Sequence, residues 1–281
     1  MDLDSEFLKA ILADPDDDMP RLVYADWLHD QGDPRGEFIQ LQCELAEIHR
    51  NFYAVDQELI DRHDDLVERQ QDMLLEHGDR WRAALAPLVQ DCQFQRGLLQ
   101  LVRLSGAQLR DYGDRIMAAA PICLMFVTAA RGCLREALRH QRLSQLTGLA
   151  IDGSSLLDED VSAIVELLQR GRINRLVLTW CSLTDTSFAA FGNLTNASLR
   201  DLDLANNSLR NASAMLLATT PGFGALQNLV LTSNMIRLRG AQALARSEVL
   251  TQLDSLSMGG NPIDQRAVSE LRSRFQQVMM Q

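Results

Sequence analysis

Leu199 to Leu209 reads LRDLDLANNSL, Leu226 to Ile236 reads LQNLVLTSNMI, and Leu253 to Ile263 reads LDSLSMGGNPI. Each fits L-x-x-L-x-L-x-x-N-x-L, with Met258 for one leucine and Ile236 and Ile263 at the end, and the copies start 27 residues apart. A fixed period of this length is one strand-plus-helix unit repeated, and only stacking of such units buries the leucines. Toward the N-terminus, INRLVLTWCSL from Ile173 and LTGLAIDGSSL from Leu146 continue the series, with Cys181 and Ser154 at the Asn position. ICLMFVTAARG from Ile122 and LLQLVRLSGAQ from Leu98 are weaker copies, which makes about seven units of 24–27 residues.

Alternate leucines such as Leu202 and Leu204 point inward from a short strand, and Asn207, Asn234 and Asn261 are placed to bond the backbone of the turn that follows. Between strands, residues 161–171, 211–220 and 239–250 have helical spacing of apolar residues. The pattern resembles the leucine-rich-repeat family, in the longer helical subclass typified by ribonuclease inhibitors. The expected fold class is α/β: a leucine-rich-repeat solenoid, a horseshoe with parallel strands inside and helices outside, preceded by a small all-helical N-terminal module. The chain is expected to close with a helical cap, AVSELRSRFQQVMMQ, whose stripe is Val268, Leu271, Phe275 and Val278.

The N-terminal part is different in kind. Residues 1–92 carry 23 Asp and Glu against 8 Lys and Arg, while residues 93–281 carry 15 against 19. This charge step suggests three segments: a helical module over 1–50, an acidic helical connector over 51–92, and repeats over 93–281. In the module, SEFLKAILA and RLVYADWLHDQ read as helices. In GDPR, Gly32 ends one helix, Asp33 caps the next and Pro34 opens it. Asp14, Asp16 and Asp18 alternate like calcium ligands, but Met19 and Ala25 stand where that loop needs Gly and Glu. Gly32 and Gly36 beside Arg35 lack a phosphate loop's spacing and preceding strand. Asp26, His29 and Asp30 read as the polar face of a helix.

LKAILADPDDDMPRLVYADWLHDQGDPRGEFIQLQCELA resembles the repeat-companion domain found at the N-terminus of many bacterial leucine-rich-repeat proteins. The residues that carry the likeness are the DPDDD run, Arg21, Leu22, Ala25 to Leu28 and Gly32 to Ile39. The resemblance implies architecture and supplies no catalytic residue.

The connector reads as a long helix from Asp56 to Glu76 and a short one around Trp81. On one continuous helix, His49, His63 and His77 would lie too far apart to share a metal. Five cysteines without a CxxC pair read as buried thiols, and no apolar run approaches a bilayer span, so a cytoplasmic location is expected. The chain lacks a nucleophile elbow, an HExxH zinc motif and a Walker A sequence. The expectation is therefore a non-enzyme without metal or cofactor.

Two surfaces are candidates for binding a protein partner, a class for which such repeat faces are suited. The first is the concave strand face, with Asp152, Arg175, Trp180, Asp201, Asp203 and Asn228 pointing out. The second is an arginine stripe, Arg131, Arg135, Arg139 and Arg142, at helical spacing. One basic stripe on an acidic chain is a thin footprint for nucleic acid. The expected function is a non-catalytic scaffold, adaptor or inhibitor. A regulatory subunit acting on a GTPase or protease, and a homo-oligomer built by docking acidic module on arginine stripe, are the alternatives.

Overall fold

The computed structural model describes residues 3–50, 57–195 and 198–280. The chain divides into two compact units, residues 1–102 with 115–123, and residues 103–114 with 124–281. The division falls inside a strand and a helix rather than at the charge step near residue 92.

The first unit contains α1 (Leu3–Ala13), α2 (Met19–Asp30), α3 (Arg35–Arg50), α4 (Gln57–Arg82), β1 (Asp91–Gln95) and the start of β2 (Leu98–Ser105). Gly32 adopts φ +68° after α2, and Asp33 Oδ1 accepts the Arg35 N–H at 2.9 Å ahead of α3. Helix α3 is the centre of the unit because it is apolar on two faces. Ile39 and Cys43 pack with Ile11, Tyr24, Leu28 and Leu98, while Phe38, Leu41, Leu45 and Ile48 pack with Leu66 and Met73 of α4. Helices α2 and α3 approach closely at Gly36, where a Cβ would lie 2.5 Å from the Ala25 carbonyl oxygen.

The expected connector is one helix through Arg82, with Trp81 in its last turn, and it packs on α3. The expected start at Asp56 lies outside the described residues. Arg62 bridges to Glu44 and Arg69 to Glu37, both at 2.7 Å. Solvent and salt screen these exposed pairs strongly, so burial of Leu66 and Met73 is the stronger tie. His49 sits on α3 and His63 on α4, and their rings meet at 5.4 Å. This corrects the expectation of a distant row on a single helix.

Strands β1 and β2 are neighbours joined by the two-residue turn Arg96–Gly97, with φ +47° and +85°. Arg96 donates to the carbonyls of Pro15 and Asp16 and to Asp18 Oδ1, and Asp18 Oδ2 also pairs with Arg50 at 2.7 Å. The acidic run is thus an arginine-pinned loop. Leu98 enters the helical core, which is why residues 93–102 belong to this unit.

Helix α5 (Gly106–Ala119) carries residues of both units. The second unit continues with β3 (Leu124–Thr128), α6 (Leu134–Ala137), β4 (Gly148–Asp152), α7 (Asp158–Arg170), β5 (Arg175–Thr179), α8 (Asp185–Phe188) and β6 (Asp201–Asp203). Then come α9 (Asn211–Thr219), β7 (Asn228–Val230), α10 (Leu238–Ala245), β8 (Ser255–Ser257), α11 (Gln265–Arg274) and β9 (Gln277–Met279). Strands β3 to β9 pair in chain order, all parallel. In register, Leu149, Leu176, Leu202, Leu229 and Leu256 form one buried row. The fold is an α/β leucine-rich-repeat solenoid with a helical N-terminal unit before it in the chain.

Two expectations fail here. The C-terminal helix stops at Arg274: Phe275 is extended and Val278 pairs with Leu256 as part of β9. Phe275, Val278 and Met280 repeat the L-x-x-L-x-L spacing, so this is a further strand and not a helical cap. The arginine stripe also dissolves, because residues 131–142 are a turn, the four-residue α6, a second turn and a 3-10 segment from Gln141. His140 is held to α5 by Asp114 at 3.0 Å and the Arg110 carbonyl at 3.2 Å, and a Cβ on Gly113 would strike its ring. That docking draws the chain out of helix. Arg131, Arg135, Arg139 and Arg142 are exposed but share no helical face; Arg135 pairs with Glu159 at 3.2 Å.

The asparagines bond across repeats as well as within their own turns. Asn207 Oδ1 accepts N–H groups of Cys181 and Leu183 while its Nδ2 donates to Leu178 and Leu204. Asn234 likewise accepts from Leu209 and donates to Leu204, Leu231 and Thr232, and Asn261 accepts from Ile236 and donates to Leu231. Each therefore reaches the preceding repeat. Cys181 donates from Sγ to the Ile151 carbonyl at 3.4 Å; burial pushes its pKa up to about 12, so the thiol keeps the proton it donates.

A second set of polar groups caps helices between repeats. Asp185 Oδ1 accepts from Arg210 N, Ser213 N and Ser213 Oγ, and Asn211 Oδ1 accepts from Arg237 N and Gly240 N. Burial works to raise the Asp185 pKa, but these hydrogen bonds outweigh it and hold the pKa below the usual aspartate value. A depressed folded-state pKa stabilises fully above the unfolded value, about 4, and that contribution is lost as pH falls through the folded value. Asp185→Asn is therefore expected to lose stability at pH 7 and to lose less than wild type on acidification. Urea unfolding at pH 7 and pH 3 checks this, and equal losses on acidification would refute it.

Candidate functional site

The strand register brings the exposed side chains into rows. One row runs Gly148, Arg175, Asp201, Asn228, Ser255, Gln277, and the next runs Ala150, Val177, Asp203, Val230, Ser257, Met279. Arg175 and Asn228 are exposed and Asp201 and Asp203 half-buried, around a shallow depression of about 270 Å³. Asp152 lies at the exposed end of β4, where Thr179 Oγ1 donates to it at 2.6 Å.

The charges in this depression do not cancel pairwise. Asn228 Nδ2 donates to Asp201 Oδ1 at 2.6 Å, and Asp203 Oδ1 accepts the Ala205 N–H at 2.9 Å. Arg175 makes no ion pair with a described residue, although it stands across from Asp201. Burial raises the Asp203 pKa; the Ala205 N–H and the charge of Arg175 pull it back only in part. A half-buried carboxylate without a cation in contact is an electrostatic debt that a basic group from outside would cancel.

Trp180 adds what sequence patterning did not reveal. Ala129, Gly153, Trp180, Asn206, Ser233 and Gly260 each follow a strand by one or three residues, and all have φ between +45° and +70°. Gly and Asn suit this left-handed position. A tryptophan there is a steric outlier, and its ring is 62% exposed. The available signal was alignment of the residue just before the Asn, Cys or Ser of each repeat, which sets Trp180 against Gly153 and Gly260. The Asp152, Arg175, Trp180, Asp201, Asp203 and Asn228 expected as a group do lie along strands β4 to β7, on the exposed face or at its edge. Among the described residues no group of His, Cys, Asp and Glu is arranged to hold a metal ion.

No family model matches the chain, and no curated protein matches it. Among solved structures it is similar to an internalin, InlF, from Listeria monocytogenes, with 15% identity and a TM-score of 0.33 over 58% of this chain. The match spans 55% of that internalin chain, a little over half its length. The fold assignment rests on the repeat geometry and not on this likeness. No helix among the described residues is long and apolar enough to cross a membrane.

Proposed function

We propose that the protein is a non-catalytic interaction module whose strand-lined face binds a protein partner, as a scaffold, adaptor or inhibitor. Trp180 carries this reading: an exposed aromatic ring occupies a left-handed backbone position that glycine fills in two other repeats. Strain of this kind persists where the side chain does something the fold alone does not need, and exposed Trp and Arg are common interface anchors. Asp201 and Asp203, on the neighbouring strand and in register with Arg175 and Val177, suit a partner segment that presents a lysine or arginine. The likeness of the N-terminal segment to the bacterial repeat-companion domain supports a bacterial, cytoplasmic setting for that role.

Trp180→Gly separates binding from folding. Relief of left-handed strain is worth roughly 1–2 kcal/mol, less about 0.5–1 kcal/mol for glycine's extra freedom. The variant is expected to be as stable as wild type or about 1 kcal/mol more stable, yet to lose the partner. Affinity capture from source-cell extract, comparing wild type, Trp180→Gly and Asp201→Arg plus Asp203→Arg, tests this. A protein retained by wild type and released by both variants supports the reading; the same recovery from all three removes this face.

A further inference from the structure

In the second unit, the segments that follow β6 and β7 enclose a cavity of about 380 Å³ lined by Arg210, Asn211, Met235, Arg237 and Pro262. All five residues belong to that unit, and none lies on the strands that carry the face described above. The volume is within the range of small-molecule sites. Arg210 and Arg237 occupy the same place in successive repeats, three residues after Asn207 and Asn234.

Every charged group in this lining is a cation. Both arginines are exposed, and neither guanidinium makes a hydrogen bond or ion pair with a described residue. Asn211, next to Arg210 in the chain, holds the following repeat against it: its Oδ1 accepts the Arg237 N–H at 2.9 Å and the Gly240 N–H at 3.1 Å. Two N–H donors on one atom identify that atom as the amide oxygen, which leaves Asn211 Nδ2 with no acceptor among the described residues. The carboxylates that cap neighbouring helices do not line the cavity. Asp185 is spent on Arg210 N and Ser213, and Asp264 on the Ala267 N–H at 2.9 Å. Three unspent donor groups therefore adjoin an apolar patch made by Pro262 and by Met235, which is 49% exposed. Two like charges on one cavity repel, and an anion between them offsets that cost.

We infer that this cavity binds a small organic phosphate monoester, with Arg210 and Arg237 pairing to the phosphate, Asn211 Nδ2 donating to it, and the organic part lying on Met235 and Pro262. A phosphate monoester carries a charge of about −1.5 to −2 at pH 7 and three strong acceptor oxygens, which matches two cations and an amide donor. A single carboxylate would leave one arginine unmatched. Guanidinium groups bind phosphate through paired N–H donors, and a methionine side chain adapts to the shape of an apolar body laid against it. The site is separate from the strand-lined face and does not depend on what that face binds.

The test is calorimetric titration of the full chain at pH 7 with phenyl phosphate, benzoate and inorganic phosphate. Phenyl phosphate is expected to bind saturably with a Kd of about 1 mM or tighter, and benzoate and inorganic phosphate each about 10-fold more weakly. Arg210→Gln and Arg237→Gln are each expected to weaken phenyl phosphate by about 10-fold, the loss of one charged contact. No saturable heat by about 10 mM phenyl phosphate overturns the site. Benzoate binding as tightly as phenyl phosphate overturns phosphate recognition, and inorganic phosphate binding as tightly overturns the organic ester. Unchanged affinity in either arginine variant overturns the paired contact. Both arginines are exposed, so unaltered melting of the variants checks folding; should one misfold, the three probes on wild type still decide.

Discussion

Gly97→Ala is expected to destabilise the first unit by about 3 kcal/mol or more, and it combines two of the mechanisms that give large losses. The residue has φ +85°, where an L side chain is strained. Its Cβ would also lie 2.4 Å from both Cα and Cγ1 of the fully buried Ile39. One of those atoms is backbone of α3, so relief requires moving the hairpin off the core and breaking the Arg96 pins on the acidic loop. Gly32→Ala is the matched control. Gly32 has a similar φ of +68° with nothing within 4 Å of its Cβ, so it reports strain alone, about 1 kcal/mol. Urea unfolding followed by tryptophan fluorescence, to which Trp27 and Trp81 contribute from this unit, compares the two. A Gly97→Ala loss no larger than that of Gly32→Ala would refute the clash.

Asn234→Ala is expected to cost the second unit about 1–3 kcal/mol. Asn234 is buried, and truncation leaves the Leu209 N–H without its acceptor, while the Leu204, Leu231 and Thr232 carbonyls lose one donor each and keep another, from Asn207, Asn261 and the Asn206 N–H. Each buried group left unsatisfied costs about 1–3 kcal/mol before water or rearrangement offsets it. Asn234→Ser should fall between, since Ser154 fills the same place in an earlier repeat and accepts one N–H, that of Ala130 at 3.1 Å. Denaturant unfolding of the three proteins checks the order. A loss below about 1 kcal/mol in the alanine variant would mean that solvent replaces the amide.

The repeat strands were legible because a leucine at every second position reports directly which side of a strand is buried. The register follows from that and gathers Arg175, Asp201 and Asn228 in one row. Strand β9 was hidden by composition: LRSRFQQVMM has good helix formers, and only the spacing of Phe275, Val278 and Met280 marks it. Local preference lost there to pairing with β8. The arginine spacing over 131–142 misled for a related reason. Regular spacing implies a shared face only if the helix continues, and the tie of His140 to α5 was not visible in the local sequence. Neither the strain at Trp180 nor the cross-repeat reach of the asparagines shows without backbone angles and neighbours.

The asparagine ladder also gives the solenoid a direction in time. Because Asn207, Asn234 and Asn261 complete the turn of the repeat before their own, a repeat leaving the ribosome is unfinished when its own last residue is made. It waits for its successor's asparagine, one period of 27 residues after its own asparagine in this part of the chain, or roughly 1–5 s at ordinary synthesis rates. During that interval the newest turn is the one open to proteases and to mispairing. The growing chain carries that vulnerable point along with it.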